Sequence, residues 1–378
     1  MTHTASPKEP LRVLHVIGAM DRGGAETLIM NLYRAIDRDR IQFDFLVNST
    51  EPCDYDAEIE SLGGHIHRIQ RYALYNHLSY VKECRRFFEA HPYKIVHGHI
   101  GFPAAFYLSA AKNNGAFTIA HSHAQNYPLS LEELVFRAVA SQVRGKADFY
   151  LACSEKAGFD RFGNMIVNGN RFHVLKNGID VERCRFSDTS RMAIREELGI
   201  GADELLFGHV GRLTEVKNHV YLFKVFKEIL ATHPTAKLAL AGRGELEDEL
   251  RAGANSLGID QNTLFLGIRE DVPDLMSGMD ALIFPSFREG LGCTLIEAQA
   301  SGLPCIVSKG VSPEAKYRDN LQFMSLDLSP REWARAVLLA AQEASLDCRK
   351  RAYQDAQAAG FDINDSAKWL AKLYAENA

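Results

Sequence analysis

The sequence predicts an α/β protein made of two doubly wound parallel-sheet domains in series. Three observations carry this. Short apolar runs alternate with helical patterns along nearly the whole chain, the mark of βαβ units. The alternation fades near residue 183 and starts again after 184. The chain has 378 residues and 46% hydrophobic content, enough for two ordinary cores.

The elements follow in order. Leu11–Ile17 (LRVLHVI) is a buried-strand run, and Ala25–Ile36 has helical spacing. Ile41–Val47 predicts a strand, Asp56–Leu62 a helix and His65–Ile69 a strand. A helix over Leu78–Ala90 precedes the apolar runs Lys94–His97, Ala104–Ala111 and Phe117–His121. A helix near Leu131–Val143 and a strand at Phe149–Ala152 complete the first half. In the second half, strands are expected at Leu205–Val210, Ala236–Leu240, Thr263–Leu266, Ala281–Phe284 and Cys305–Ser308. Helices are expected at Val220–Leu230, Leu246–Leu257, Thr294–Ala300, Glu332–Ala344 and Ala367–Ala375. In open sheets of this kind, ligands bind outside the carboxyl ends of the strands, so the loops there should hold the chemistry.

The bulk properties exclude several classes. The formal net charge is -5, without the basic excess of a nucleic-acid binder. Residues 1–183 hold 21 Lys+Arg against 20 Asp+Glu, and residues 184–378 hold 22 against 28, an ordinary surface variation. The seven cysteines are scattered and form no CxxC, which argues against a disulfide framework or a zinc motif and fits a reducing cytoplasm. No apolar run approaches the roughly 18 residues of a membrane helix, and MTHTASPKEP reads as a polar tail and not as a signal peptide. Asp54-Tyr55-Asp56 has the spacing of a DxD metal motif, but CDYDAEIE reads as the capped start of a helix, and no metal is expected.

Four loops stand where a site should be. Gly18–Glu26 (GAMDRGGAE) joins the first strand to a helix, and Gly23 and Gly24 would let the backbone approach an anion at the helix start. It lacks GxGxxG, so a dinucleotide fingerprint is absent. Gly211–Asn218 supplies Arg212, a fork for phosphate oxygens, and Lys217, a point charge. Gly242-Arg243-Gly244 repeats the strand–glycine–helix pattern. The most specific loop is Phe284–Ala298, in which Glu289 and Glu297 stand eight positions apart with Gly290, Leu291, Gly292, Cys293 and Thr294 between them. Its amides, at a helix start, suit an anion, and the two carboxylates suit hydroxyls on either side of a diphosphate.

These motifs together resemble glycosyltransferase family 4: GGAE, GR…KN, GRGEL and EGLGCTLIEAQASGLPCIV. The resemblance spans nearly the whole chain and is nearest to enzymes of bacterial capsular and exopolysaccharide assembly. It implies a GT-B fold, two Rossmann-like domains facing a cleft. Residues 1–183 would be the acceptor-side domain and residues 184–360 the nucleotide-sugar domain, with 361–378 packing back on the first through Phe361, Trp369, Leu370, Leu373 and Tyr374. It implies a retaining, metal-independent hexosyl transfer from a nucleotide sugar, UDP-linked by expectation, to a saccharide or lipid-linked saccharide, with no cofactor. By the same resemblance Arg212 and Lys217 hold the diphosphate, Glu289 the sugar hydroxyls and Glu297 the ribose. Gly23 and Gly24 close over the phosphates, and Ile268 in LGIRED lies near the base. A histidine after a first-domain strand faces the sugar; His121 and His123 are the candidates and His123 is favoured, while the other histidines read as structural. Domain closure would assemble the site.

The expected location is cytoplasmic, with peripheral contact to the inner membrane face through Tyr127–Lys146 (Leu131, Leu134, Val135, Arg137, Arg144, Lys146) as an option beside a plain packed helix. A nucleotide-sugar epimerase or a phosphorylase shares the fold, and a silent nucleotide-sugar sensor would share the binding loops. A nicotinamide oxidoreductase would need the missing GxGxxG.

Overall fold

The computed structural model describes residues 9–99, 101, 103–123 and 141–378. It separates into two compact units, one of residues up to Gly178 plus Ile363–Ala378, the other Ile179–Asp362.

The first unit holds a parallel sheet of seven strands: β1 Leu11–Ile17, β2 Ile41–Val47, β3 Ile66–Arg68, β4 Ile95–His99, β5 Phe117–Ser122, β6 Phe149–Ala152 and β7 Phe172–Val174. Their order is β3-β2-β1-β4-β5-β6-β7. Successive side chains of a strand point to opposite faces. Val13 and Ile17 accordingly enter one core, shared with Leu28, Ile29 and Leu32 of the helix Gly24–Ala35. Leu14 and Val16 enter the other, shared with Tyr80 and Phe88 of the helix His77–Ala90 and Leu108 of the helix Ala104–Asn113. The helix Ile363–Glu376 seals the first face: Leu370 and Tyr374 are fully buried there, and Trp369 stacks on His173 at 3.9 Å between ring centroids.

The second unit holds six parallel strands: β8 Leu206–Val210, β9 Lys237–Ala241, β10 Thr263–Gly267, β11 Ala281–Phe284, β12 Cys305–Ser308 and β13 Leu321–Met324. Their order, β10-β9-β8-β11-β12-β13, is the doubly wound order. Phe207 faces a core with Phe223, Phe226 and Trp333, and Leu206 faces the opposite one with Leu275, Leu282 and Leu295. Ser329 and Glu332 form a capping box at the start of the helix Pro330–Glu343, which fixes its entry. Each sheet reverses its strand order beside its first strand, between β1 and β4 and between β8 and β11, and a doubly wound sheet takes its ligand at that point.

Three readings change. The division falls after Gly178 and not after 183, because Ile179, Val181 and Cys184 belong to a core with Ile296 and Ala356. Phe361 belongs to that same core, and its carbonyl accepts from the Ile179 amide, so it is not part of the returning helix. The strands β7 and β13 and the helices Glu155–Phe162, Asp188–Glu197, Val272–Gly278 and Ala352–Ala358 were not foreseen. Of the segment 127–146, residues 127–140 lie outside the described residues, and the rest begins with the short 3-10 turn Ser141–Val143. Among the described residues no helix is long and apolar enough to cross a membrane.

Candidate active site

In the second unit, backbone hydrogen bonds sew the predicted loops into one surface at the carboxyl ends of β8–β11. The Gly211 amide donates to Ala241 O (2.9 Å), Leu213 to Arg243 O (3.0 Å), Gly242 to Gly267 O (2.7 Å) and Phe287 to Val216 O (2.8 Å). This lattice explains Gly242 and Gly244. A Cβ on Gly242 would lie 2.0 Å from Gly211 O, and one on Gly244 2.3 Å from Leu213 O. Gly242 also has φ +142°, outside the range of L side chains. These two glycines let one loop lie on its neighbour, which needs no ligand to account for it.

The two expected cations differ. Arg212 is exposed and makes no ion pair among the described residues. Lys217 is largely buried, sits over the Phe284 ring at 4.7 Å and pairs with Glu289. It ends a 3-10 turn, and Asn218 turns the chain into the helix His219–Leu230 through a left-handed conformation, φ +56°, with its amide group on Pro285 O (3.2 Å). Beneath Lys217 lie two buried histidines that the motifs did not single out. Burial, followed by the neighbouring His219 and the Lys217 charge, holds His209 well below its ordinary value; burial and Lys217 hold His219 at about 4. Both rings therefore stay neutral beside the ammonium.

Glu289 is fixed by its backbone. Its amide donates to Gly310 O (3.0 Å) and its carbonyl accepts from Ser312 (3.0 Å), a bridge to the loop after β12. The helix runs Cys293–Ala300 with Gly292 as N-cap, so first-turn amides open onto the Glu289 loop. The side chains of Leu291 and Cys293 are buried in the core with Ile296, which leaves their backbone as the part able to meet a ligand. Gly290 has open space at its Cβ position, and Thr294 is partly exposed. Glu297 lies one turn into the helix. Burial raises its carboxyl to about 7, with Arg183 pulling the other way. Arg183, which donates to Glu270 O (3.3 Å), is a site neighbour that sequence reasoning missed. Ile268 is exposed, while Arg269 beside it is tied to Glu197 and Asp271.

In the first unit, Gly23 caps the helix Gly24–Ala35, where a Cβ would strike the Glu26 carboxylate at 2.3 Å; a Cβ on Gly24 would meet nothing within 4 Å. The Asp54-Tyr55-Asp56 segment serves local structure. Asp56 accepts from the Cys53 amide (2.7 Å) and pairs with Arg68, and Asp54 accepts from the Arg22 amide (3.1 Å).

The histidine candidates are not alike. His121 is fully buried at the end of β5, its Nδ1 3.1 Å from His97 Nε2, whereas His123 follows the strand and is partly exposed. Nor are the remaining histidines independent of them. His15 Nδ1 lies 2.9 Å from His99 Nε2, His99 Nδ1 2.7 Å from His123 Nε2, and His97 Nδ1 2.6 Å from Tyr374 Oη. In the register of β1, β4 and β5, His15 stands opposite His97 and His99 opposite His121, all on the face covered by the helix Ile363–Glu376. His15, His97 and His99, read as structural from the sequence, are joined to the two candidates in this row.

The comparisons bear on the family and the fold. Residues 22–183 match the family described as Glycosyltransferase Family 4, and residues 190–355 that described as Glycosyl transferases group 1. The EpsF protein of Bacillus subtilis (strain 168) is 36% identical over 374 residues, covering 96% of either chain. The UDP-Gal:alpha-D-GlcNAc-diphosphoundecaprenol alpha-1,3-galactosyltransferase of Escherichia coli is 31% identical over 147 residues, 38% of either chain. The crystal structure of Anabaena HepE in complex with UDP-glucose shares the fold at a TM-score of 0.77 and 20% identity, covering 97% of this chain and 99% of that one. The chain is a glycosyltransferase of family 4 with the two parallel-sheet domains of the GT-B fold.

Proposed function

We propose that this glycosyltransferase moves a hexosyl group from a UDP-sugar to a saccharide or lipid-linked saccharide acceptor in surface polysaccharide assembly, with retention and without a metal. The observation that carries it is the sewn loop surface of the second unit, where Arg212, Lys217 and the first turn of Cys293–Ala300 stand together at the switch point. Departure of a nucleoside diphosphate builds negative charge, and preformed cations and amide dipoles stabilise it. Lys217 and Glu289, already paired, would divide between diphosphate and sugar hydroxyls on donor binding. Glu297 takes the ribose and Ile268 borders the base. Gly24 and His123 are the first unit's contributions, the latter toward the sugar. The UDP-glucose complex of HepE and the UDP and lipid-diphosphate terms in the Escherichia coli enzyme's name support the donor and acceptor classes. The location that fits is the cytoplasmic side of the inner membrane.

The test is product analysis. The full chain, a panel of UDP-sugars and undecaprenyl-diphosphate saccharides are incubated with a chelator present, and released UDP and anomeric configuration are followed by NMR. UDP release coupled to an α-linked product supports the proposal. An isomerised free donor would show an epimerase, chelator-sensitive transfer would remove metal independence, and binding without turnover would show a sensor.

A further inference from the structure

We infer that His99, His121 and His123 form a binding site for a borderline first-row divalent cation, of the Zn2+, Co2+ or Cu2+ class. Ring nitrogens of the three lie within 4.8 Å of one another. The hydrogen bonds show which nitrogens are already engaged. His121 spends Nδ1 on His97, and its Nε2 is buried with no partner. His99 spends Nε2 on His15, which leaves Nδ1, already 2.7 Å from His123 Nε2. An ion between them would replace that one contact and engage the unpartnered Nε2, a buried group that otherwise loses its hydration uncompensated.

The surroundings fit a ligand set. A metal-bound histidine keeps its ring in place by giving its other N–H to a neighbour. In the tautomers that free the ligating nitrogens, His121 Nδ1 gives its N–H to His97, whose far nitrogen reaches Tyr374 Oη at 2.6 Å, and His99 Nε2 gives its N–H to His15, while His123 Nδ1 has no such partner among the described residues. The rings follow one another closely, His97 and His99 stacked with centroids 4.6 Å apart and His121 and His123 tilted at 4.1 Å. Three imidazoles with a fourth position open is a common zinc arrangement. The absence of carboxylate oxygens among the three disfavours Mg2+ and Ca2+. His15, His97 and His99 also cluster, but all three are fully or nearly fully buried, whereas His123 is partly exposed and gives access. His123 is also the residue proposed to face the donor sugar, so an ion held here and the sugar contact would draw on the same ring.

The experiment is titration of the full chain with Co2+ and Cu2+, without donor, read by visible d–d bands and by nitrogen hyperfine structure in EPR. The expected result is one ion per chain with imidazole-only ligation. His121→Asn and His99→Asn should each abolish it. His97→Gln should weaken it by about 10–100-fold, with the fold checked by circular dichroism. His91→Asn, altering a partly buried ring that stacks on Phe87 and lies beside His67, should leave it unchanged. No binding by the wild-type chain, binding that survives His99→Asn with His121→Asn, or binding lost with His91→Asn overturns the inference. Because no donor is present, each of these results leaves the transferase proposal standing.

Discussion

The two units repeat one topology and equip it with opposite chemistry. At the carboxyl ends of β8–β11 the second unit carries charge: Arg212, Lys217 and Glu289 on loops locked to one another through their backbones, and Glu297 on the helix that follows. At the ends of β4 and β5 the first unit carries a row of buried imidazoles, pushed far toward neutrality by burial and by one another. A repeated scaffold fixes where a site lies. The side chains placed there give the second unit a charged surface and the first a row of neutral rings.

The sharpest way to break this contrast is Arg212→Ala. Arg212 is exposed and unpaired by ion pairs among the described residues, so the fold should survive. A lost charge-assisted hydrogen bond costs about 1.5–3 kcal/mol, which is on the order of tenfold to a few hundredfold in donor turnover. Unchanged turnover with a native circular-dichroism spectrum would remove the cation from the mechanism. Next comes a pair of glycines. Gly242→Ala forces a Cβ onto Gly211 O at a forbidden φ, and should lower stability by about 1–3 kcal/mol, read from denaturant midpoints. Gly24→Ala meets nothing, so it should leave the midpoint nearly unchanged and alter only donor affinity. Equal destabilisation by both would show that the two glycine loops serve the same structural purpose.

Glu297 gives a pH signature. Its folded-state carboxyl is raised from 4.5 to about 7, so between those values the folded chain holds a proton that the unfolded chain releases. Stability therefore falls as pH rises from about 4.5 to about 7. Glu297→Gln should flatten that fall in melting temperature; an identical slope in the variant would place the titration elsewhere. The smallest effect is expected from Tyr374→Phe, which deletes the contact to His97 Nδ1 while keeping the ring: about 0.5–1.5 kcal/mol of stability, with donor turnover little changed.

Much of the architecture was legible because interior strands of a parallel sheet are buried on both faces and read as continuous apolar runs. Leu11–Ile17, Ile41–Val47, Phe149–Ala152, Ala281–Phe284 and Cys305–Ser308 all emerge with their predicted bounds. The two missed strands, Phe172–Val174 and Leu321–Met324, are sheet edges, short and partly exposed, and carry no such run. The helix Asp188–Glu197 buries only Ile194 and Arg195, too narrow a stripe to show as a period. At the site, the cations and glutamates are adjacent in sequence to strand ends and so were visible. Their pairing, Lys217 with Glu289, joins loops 72 positions apart and was not. The histidine row had a signal that was only half used: beside His121 and His123, His97-x-His99 has the spacing of two that puts both members on one face of a strand. His15 joins them only through the register of β1 on β4.

The return of Ile363–Glu376 to the first unit sets an order on biosynthesis. Residues 179–362 are continuous and can fold once they leave the ribosome, whereas the face that Leu370 and Tyr374 seal stays open until the helix emerges after them. During synthesis the N-terminal half therefore waits on the C-terminal half, with Val13, Ile29 and Phe43 uncovered on that side. A released chain ending at residue 362 would hold a finished second unit and an unfinished first, a state that protease sensitivity confined to the first unit would reveal.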